Sequence, residues 1–161
     1  MTLLIECLIS CLLFTLIAGG MTYIKPISMI NNYPKKIQEK VLELGLISKE
    51  EMSKSKKSIV KKIFALILLI LIMAYVVKKY NGANTFINGF IYSYIIWLSV
   101  NFWDALIIDC LWFCHSKRVI IKGTENMKEY KDYLFHLKGA LIGCLYGIPA
   151  CALIGLLVII L

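Results

Sequence analysis

The chain has 161 residues, of which 60% are hydrophobic and 17% charged, with a formal net charge of +8. A mean hydropathy of +0.77 with so few charges excludes a small soluble globular domain and leaves an integral membrane protein. The basic excess is accounted for by membrane topology and calls for no nucleic acid.

Apolar residues fall in four blocks, at about 3–24, 59–77, 86–114 and 139–161. Each is near the roughly 20 residues that cross ~30 Å of hydrocarbon as a helix. The expected fold is an all-α membrane protein, a four-transmembrane-helix bundle forming a single membrane domain over 1–161. It carries a cytoplasmic helical hairpin at 34–58 and an interfacial segment at 115–138. Met1 to Tyr23 contain no Lys or Arg, so the first block lacks the basic n-region of a cleavable signal and reads as a retained span. Of the 18 basic residues, ten lie from Lys25 to Lys62, two at Lys78 and Lys79, and six from Lys117 to Lys138. Basic loops stay inside, which predicts a plasma-membrane protein with both termini outside and the first and third connections cytoplasmic.

In the first connection, Pro34 can open a helix, Ile37, Val41 and Leu44 form an apolar stripe, and Gly45 can end it in a left-handed cap. Ser48 with Glu51 makes a capping box for a second helix that runs on through SKSKKSIVKKIF into the membrane. An amphipathic hairpin lying on the inner leaflet is expected; a DNA-binding helix-turn-helix would need a third helix and a core that a segment tethered between spans cannot supply.

Tyr75 is the polar side chain of the KIFALILLILIMAYVV block, which makes the second span the lipid-facing one. The third is different, because NFWDALIIDCLWFCHSKR puts Asn101, Asp104 and Asp109 among apolar residues, and carboxylates in hydrocarbon are functional candidates by default. At α-helical pitch Trp97, Asn101, Asp104, Ile108 and His115 share one stripe, with Asp109 about 140° from Asp104 beside Trp112. A helix polar on two faces belongs at the centre of the bundle.

The third connection starts with a basic cluster and turns at Gly123; Asn126 and Glu129 read as a capping box. Met127, Tyr130, Tyr133, Leu134 and Leu137 then share a face, the pattern of an interfacial helix leading into the fourth span. In that span Gly139, Gly143, Gly147, Cys151 and Gly155 recur every four residues, a spacing that lets helices approach closely within the chain or across a homo-oligomer. All six cysteines lie within spans and suit inert packing.

The segments NFWDALIIDCLWFC, VIIKGTE, EYKDYLFH and IQEKVLELGLISKEE resemble a group of uncharacterised multi-pass bacterial membrane proteins over most of the chain. That resemblance implies a four-span topology and no established activity, so it transfers no catalytic residue.

Three function classes follow from the residues. The first is a non-enzymatic binding or scaffold protein whose partners are the lipid bilayer and its anionic headgroups, with Gly139, Gly143, Gly147 and Gly155 available to a second copy. The second is a small transporter with a mid-membrane polar site at Asn101 and Asp104. In the third, a membrane enzyme, Asp109, His115, Lys117, Arg118, Tyr133 and His136 meet a lipid phosphate at the inner headgroup level. His115, His136, Asp109 and Glu125 match no metal-binding spacing, and neither a metal nor a cofactor is assigned.

Overall fold

The computed structural model describes residues 2–57 and 59–161. Among these residues four helices are long and apolar enough to cross a membrane: Leu3–Ile24, Ile63–Asn81, Phe86–His115 and Tyr133–Ile160. Short helical pieces connect them, and no strand is present among the described residues. The protein is a multi-pass all-α membrane protein.

The third span touches each of the other three and packs most extensively along the fourth. Small residues make that contact close. Gly89 faces Gly155, so that a Cβ on Gly89 would sit 3.0 Å from the Gly155 Cα. Gly143, Gly147 and Gly155 all take third-span atoms into the space a side chain would fill, whereas Gly139 has nothing near it. The expected glycine row is therefore three glycines long on this face, and Cys151, fully buried, continues it. In the second span Ala74 and Val77 are buried while Phe64, Ile67, Leu68, Leu71 and Ile72 face outward, as a lipid-facing helix should.

Two helix boundaries differ from those read in the sequence. The second span extends to Asn81, because Lys78 donates from Nζ to the Val158 carbonyl at 2.9 Å and the helix continues through the lysine pair. The fourth begins at Tyr133, six residues before the expected 139. Its N-cap is Asp132, whose carboxylate accepts from the Phe135 N–H at 3.0 Å. Asn126 and Glu129 do not form the expected capping box: Lys128–Lys131 is a 3-10 turn, and Glu129 instead bonds Lys36 at 3.0 Å. The interfacial helix is thus this short turn, with Tyr133, Leu134 and Leu137 absorbed into the first turns of the fourth span.

The hairpin forms as its sequence dictates. Lys35–Glu43 follows Pro34, and Gly45 takes φ +65°. The Leu46 and Gly45 N–H groups then return to the carbonyls of Val41 and Leu42, closing the helix end. Ser48 and Glu51 bond reciprocally, Glu51 N to Ser48 Oγ at 3.1 Å and Ser48 N to Glu51 Oε2 at 2.9 Å, and open the helix Lys49–Lys57. Its expected continuation into the second span passes through Ser58, outside the described residues.

Where the hairpin packs is a correction. Its stripe does not lie on lipid: Ile37 and Val41 are fully buried with Ile30 and Tyr33 against Phe113, Val119, Ile121 and Tyr130. Three aromatic rings explain the preference. Tyr33 meets Phe113 and Tyr130 edge-on at 4.9 and 6.1 Å, burying far more apolar area than two aliphatic residues on a headgroup layer would. Both hydroxyls are satisfied, Tyr33 donating to the Val119 carbonyl at 3.0 Å and Tyr130 accepting from the Ile121 N–H at 3.0 Å. Burial pushes the Tyr33 hydroxyl well above the ordinary tyrosine range. The two long connections therefore form one packed collar at one end of the helices. At its edge Gly123, with φ +88°, accepts the Leu44 side chain where a Cβ would be 2.8 Å away.

Candidate functional site at the basic end of the third and fourth spans

The polar residues of the third span divide at Trp103. Over Phe86–Trp103 the helix is α, and its polar side chains reach backbone carbonyls of the fourth span. Tyr94 donates to Cys144 at 3.3 Å, Trp97 to Gly143 at 3.0 Å, and Asn101 to Ala140 at 2.8 Å. A Cβ at Gly143 would overlap the Asn101 amide, and one at Gly147 would overlap the Trp97 indole. Asn101 is accordingly fitted into a notch and bonded there.

From Asp104 to Trp112 the same helix is π. This corrects the expected separation of the two aspartates. A π-helix closes its hydrogen bonds from i to i+5 and turns less per residue than an α-helix, so a residue five positions on swings back toward the starting face. Asp109, about 140° from Asp104 at α-helical pitch, is thereby brought back toward the face that carries Asp104. His136 Nδ1 lies 2.9 Å from Asp109 Oδ2, and Asp104 is within charge range of both Asp109 and His136.

His136 comes from the first turns of the fourth span, positioned by the Asp132 cap. Its side chain is 4% exposed, against 28% for Asp109, and its Nε2 has no hydrogen-bond partner among the described residues. The rings of Phe113 and Phe135 stand edge-on to the imidazole at 5.3 and 5.2 Å. A second π segment, Thr15–Gly19 in the first span, packs nearby, and Trp103 Nε1 donates to Thr15 Oγ1 at 2.9 Å.

His115 and Arg118 are not part of this cluster. His115 is exposed; its Nδ1 lies 3.1 Å from the carbonyls of Cys110 and Leu111, and its Nε2 3.3 Å from the Tyr133 hydroxyl. The Arg118 guanidinium sits over the Tyr23 ring at 4.8 Å, joining the third connection to the end of the first span. Asn101 bonds the fourth helix, whereas Asp104 lies within charge range of Asp109 and His136, so the two residues of the expected pair have different surroundings. Among the described residues no group of three His, Cys, Asp or Glu is arranged to hold a metal ion.

Beside the cluster, between the end of the third span and the approach to the fourth, lies a half-open groove of about 570 Å³. Phe113, Ile120 and Met127 line it together with Lys117, Lys128 and Lys131. Glu125 also lines it, with both oxygens 2.9 Å from the Gly123 N–H, which holds its carboxyl below the usual range.

Sequence reasoning missed the Glu6 carboxylate in the first span, which accepts from Asn81 Nδ2 at 2.6 Å. A glutamate in a block that otherwise carries no charge was itself the signal. It also missed the coupling of Thr15 to Trp103, for which a threonine among apolar residues gives no periodic cue. No family model, curated protein or solved structure matches the chain, and what stands is a four-span membrane protein of unknown activity.

Proposed function

We propose that the protein is a non-enzymatic binding protein of the plasma membrane, with its collar in the cytoplasm and both termini outside, that holds anionic lipid headgroups at the collar. One observation carries this reading: the groove beside the helix ends is lined both by the apolar Phe113, Ile120 and Met127 and by Lys117, Lys128 and Lys131. A lipid presents the complementary chemistry, acyl and glycerol carbons next to a phosphate. Depth supports the same assignment. A helix of 28 residues is about 42 Å long, so its first turns extend past ~30 Å of hydrocarbon to the level of the phosphates. The carboxylate in the groove, Glu125, is engaged with Gly123 and leaves the cations in excess.

A binding role also suits the first part of the third span, where Tyr94, Trp97 and Asn101 are each bonded to a carbonyl of the fourth helix. Gly143, Gly147 and Gly155 are occupied by the chain's own side chains, which favours a role within the chain over a contact between copies.

Native mass spectrometry of protein extracted from bilayers of equal phosphatidylglycerol and phosphatidylcholine tests the reading. Wild type is expected to retain phosphatidylglycerol selectively. Replacing Lys117, Lys128 and Lys131 by Gln should weaken that retention by about fivefold per lysine, the equivalent of ~1 kcal/mol for each basic residue near a charged surface. Equal retention of the two lipids by wild type would defeat the proposal.

A further inference from the structure

We propose that the groove selects a hydroxylated, glycerol-type phosphodiester headgroup, held at the phosphate by its three lysines and at the free hydroxyls by Glu125 and His115. The selection rests on the reading of the groove as a lipid site and narrows it to one class of headgroup.

Glu125 is the residue that a phosphate alone leaves unexplained. It lines the same groove as Lys117, Lys128 and Lys131. A carboxylate repels a phosphate and has no proton to give it, so its place among cations that suit one calls for a second kind of ligand group. A hydroxyl is such a group.

The carboxylate is also held in position. Both oxygens lie 2.9 Å from the same Gly123 N–H, and a single hydrogen leaves acceptor capacity on each of them. The turn that carries Glu125 is fixed by Thr124, which is buried. Its Oγ1 lies 2.7 Å from the Ile121 carbonyl and 2.6 Å from the Tyr130 hydroxyl, while its N–H donates to the Ile121 carbonyl at 3.0 Å. Lys128 and Lys131 begin and end the next turn, a 3-10 turn in which residues three apart eclipse, so both fall on one side of it. The buried Tyr130 ring anchors that turn in the collar. Lys117 comes from a separate turn, Lys117–Val119.

His115 adds a second acceptor to the lining. Its Nδ1 lies 3.1 Å from the carbonyls of Cys110 and Leu111, which can only accept, so Nδ1 carries the proton. In the neutral ring Nε2 then holds the lone pair. The Tyr133 hydroxyl reaches it at 3.3 Å, longer than the ~2.7–3.2 Å of a well-made N···O bond, and the ring is exposed. A headgroup with two hydroxyls can give one to Glu125 and one to Nε2 while its phosphate oxygens accept from the lysines. A bare phosphate would leave both acceptors unused, and an ammonium headgroup would bring a positive charge among three lysines.

Native mass spectrometry of the full chain, extracted from bilayers of equal phosphatidylglycerol, phosphatidylethanol and phosphatidylcholine, tests the selection. Phosphatidylethanol has the same phosphodiester charge as phosphatidylglycerol and no headgroup hydroxyl. Wild type is expected to retain phosphatidylglycerol over phosphatidylethanol by about tenfold, the equivalent of ~1.4 kcal/mol, which one hydrogen bond to a charged group supplies. Glu125→Gln keeps an oxygen for the Gly123 N–H and removes the charge. It should cut that preference to about threefold or less, and raise the retention of phosphatidylethanol over phosphatidylcholine, since a negative charge leaves the groove. His115→Phe, which keeps a ring and removes Nε2, should lower the preference about twofold. Equal retention of phosphatidylglycerol and phosphatidylethanol by wild type, both above phosphatidylcholine, would overturn the hydroxyl site and leave the lipid groove standing. Equal retention of all three would defeat both. A preference unmoved by either substitution would overturn the roles of Glu125 and His115. With phosphatidylethanolamine in place of phosphatidylcholine, phosphatidylglycerol should still be retained first; retention of the ethanolamine lipid ahead of it would give Glu125 to an ammonium and overturn the selection.

Discussion

The third span contains two polar regions that look alike in sequence and behave differently. Over Phe86–Trp103 the helix is α, and Trp97 and Asn101 fall where the fourth span has glycines, so each enters a notch and finds a backbone carbonyl. Over Asp104–Trp112 the helix is π, and Asp109 meets an imidazole whose second nitrogen has no hydrogen-bond partner among the described residues, with Asp104 within charge range of both. A satisfied polar group in a membrane helix is a lock. One held near an unsatisfied partner retains chemistry. Both arise from the same physical requirement, that polar atoms away from water find partners, and only backbone geometry decides which outcome a residue reaches.

Breaking the lock should produce the largest effect. Gly143→Leu places a branched side chain where the Asn101 amide already sits. Overpacking of this kind typically costs ~1 to 3 kcal/mol. The expected result is a clear fall in the melting midpoint in detergent. Adding Asn101→Ala should recover part of the loss, because it removes the overlapped group, and a double-mutant cycle measures that coupling. Strictly additive effects would mean that the two residues are not in contact.

A matched pair of substitutions sharpens the contrast. Asn101→Leu removes the bond to the Ala140 carbonyl and should destabilise by about 0.6 to 1.7 kcal/mol, the range measured for hydrogen bonds between membrane helices. Asp104 has no hydrogen bond to lose among the described residues, and its carboxyl is unfavourable in an apolar setting. Asp104→Leu should therefore hold or raise the same midpoint. If Asp104→Leu destabilised as much as Asn101→Leu, the distinction between lock and site would collapse.

The four spans were legible because length and apolarity are properties of contiguous sequence, and so were the hairpin turns, where Gly45 and the Ser48–Glu51 pair act locally. The glycine row was legible as a packing face, and Asn101, Asp104 and Asp109 as residues needing an explanation. What the sequence concealed was non-local. Nothing at Tyr33 announces that its ring will meet Phe113 and Tyr130, so the hairpin stripe read as lipid-facing. The π segment was hidden for a related reason: an angular argument at 100° per residue assumes the α pitch, and one wrong pitch places Asp109 on the wrong side. His136 then looked like a boundary histidine, although the Asp132 cap sets its helix early enough to bring it to Asp109.

The smallest expected effect concerns how the collar is held closed next to the π segment. Lys36 on the hairpin bonds Glu129 just before the fourth span at 3.0 Å, with the lysine 74% and the glutamate 25% exposed. The Lys36 hydrogen bond holds the Glu129 carboxyl below its ordinary range, and the same bond raises the Lys36 ammonium above its own. The two shifts give opposite edges to one pH window. A depressed carboxyl contributes stability that is present above its unfolded value and lost as pH falls through the folded value. A raised ammonium contributes stability that is present below its unfolded value and lost as pH rises through the folded one. The difference in midpoint between wild type and Lys36→Met should therefore be flat through neutral pH, then shrink in acid below the usual carboxylate range and in base above the usual lysine range. Because the pair is open to water the difference should be slight, and salt should reduce it further. The Asn101 lock, enclosed between helices, should keep its full effect in the same salt series. A salt-insensitive Lys36 effect as large as that of Asn101→Leu would show that the collar, rather than the glycine seam, holds the third and fourth spans together.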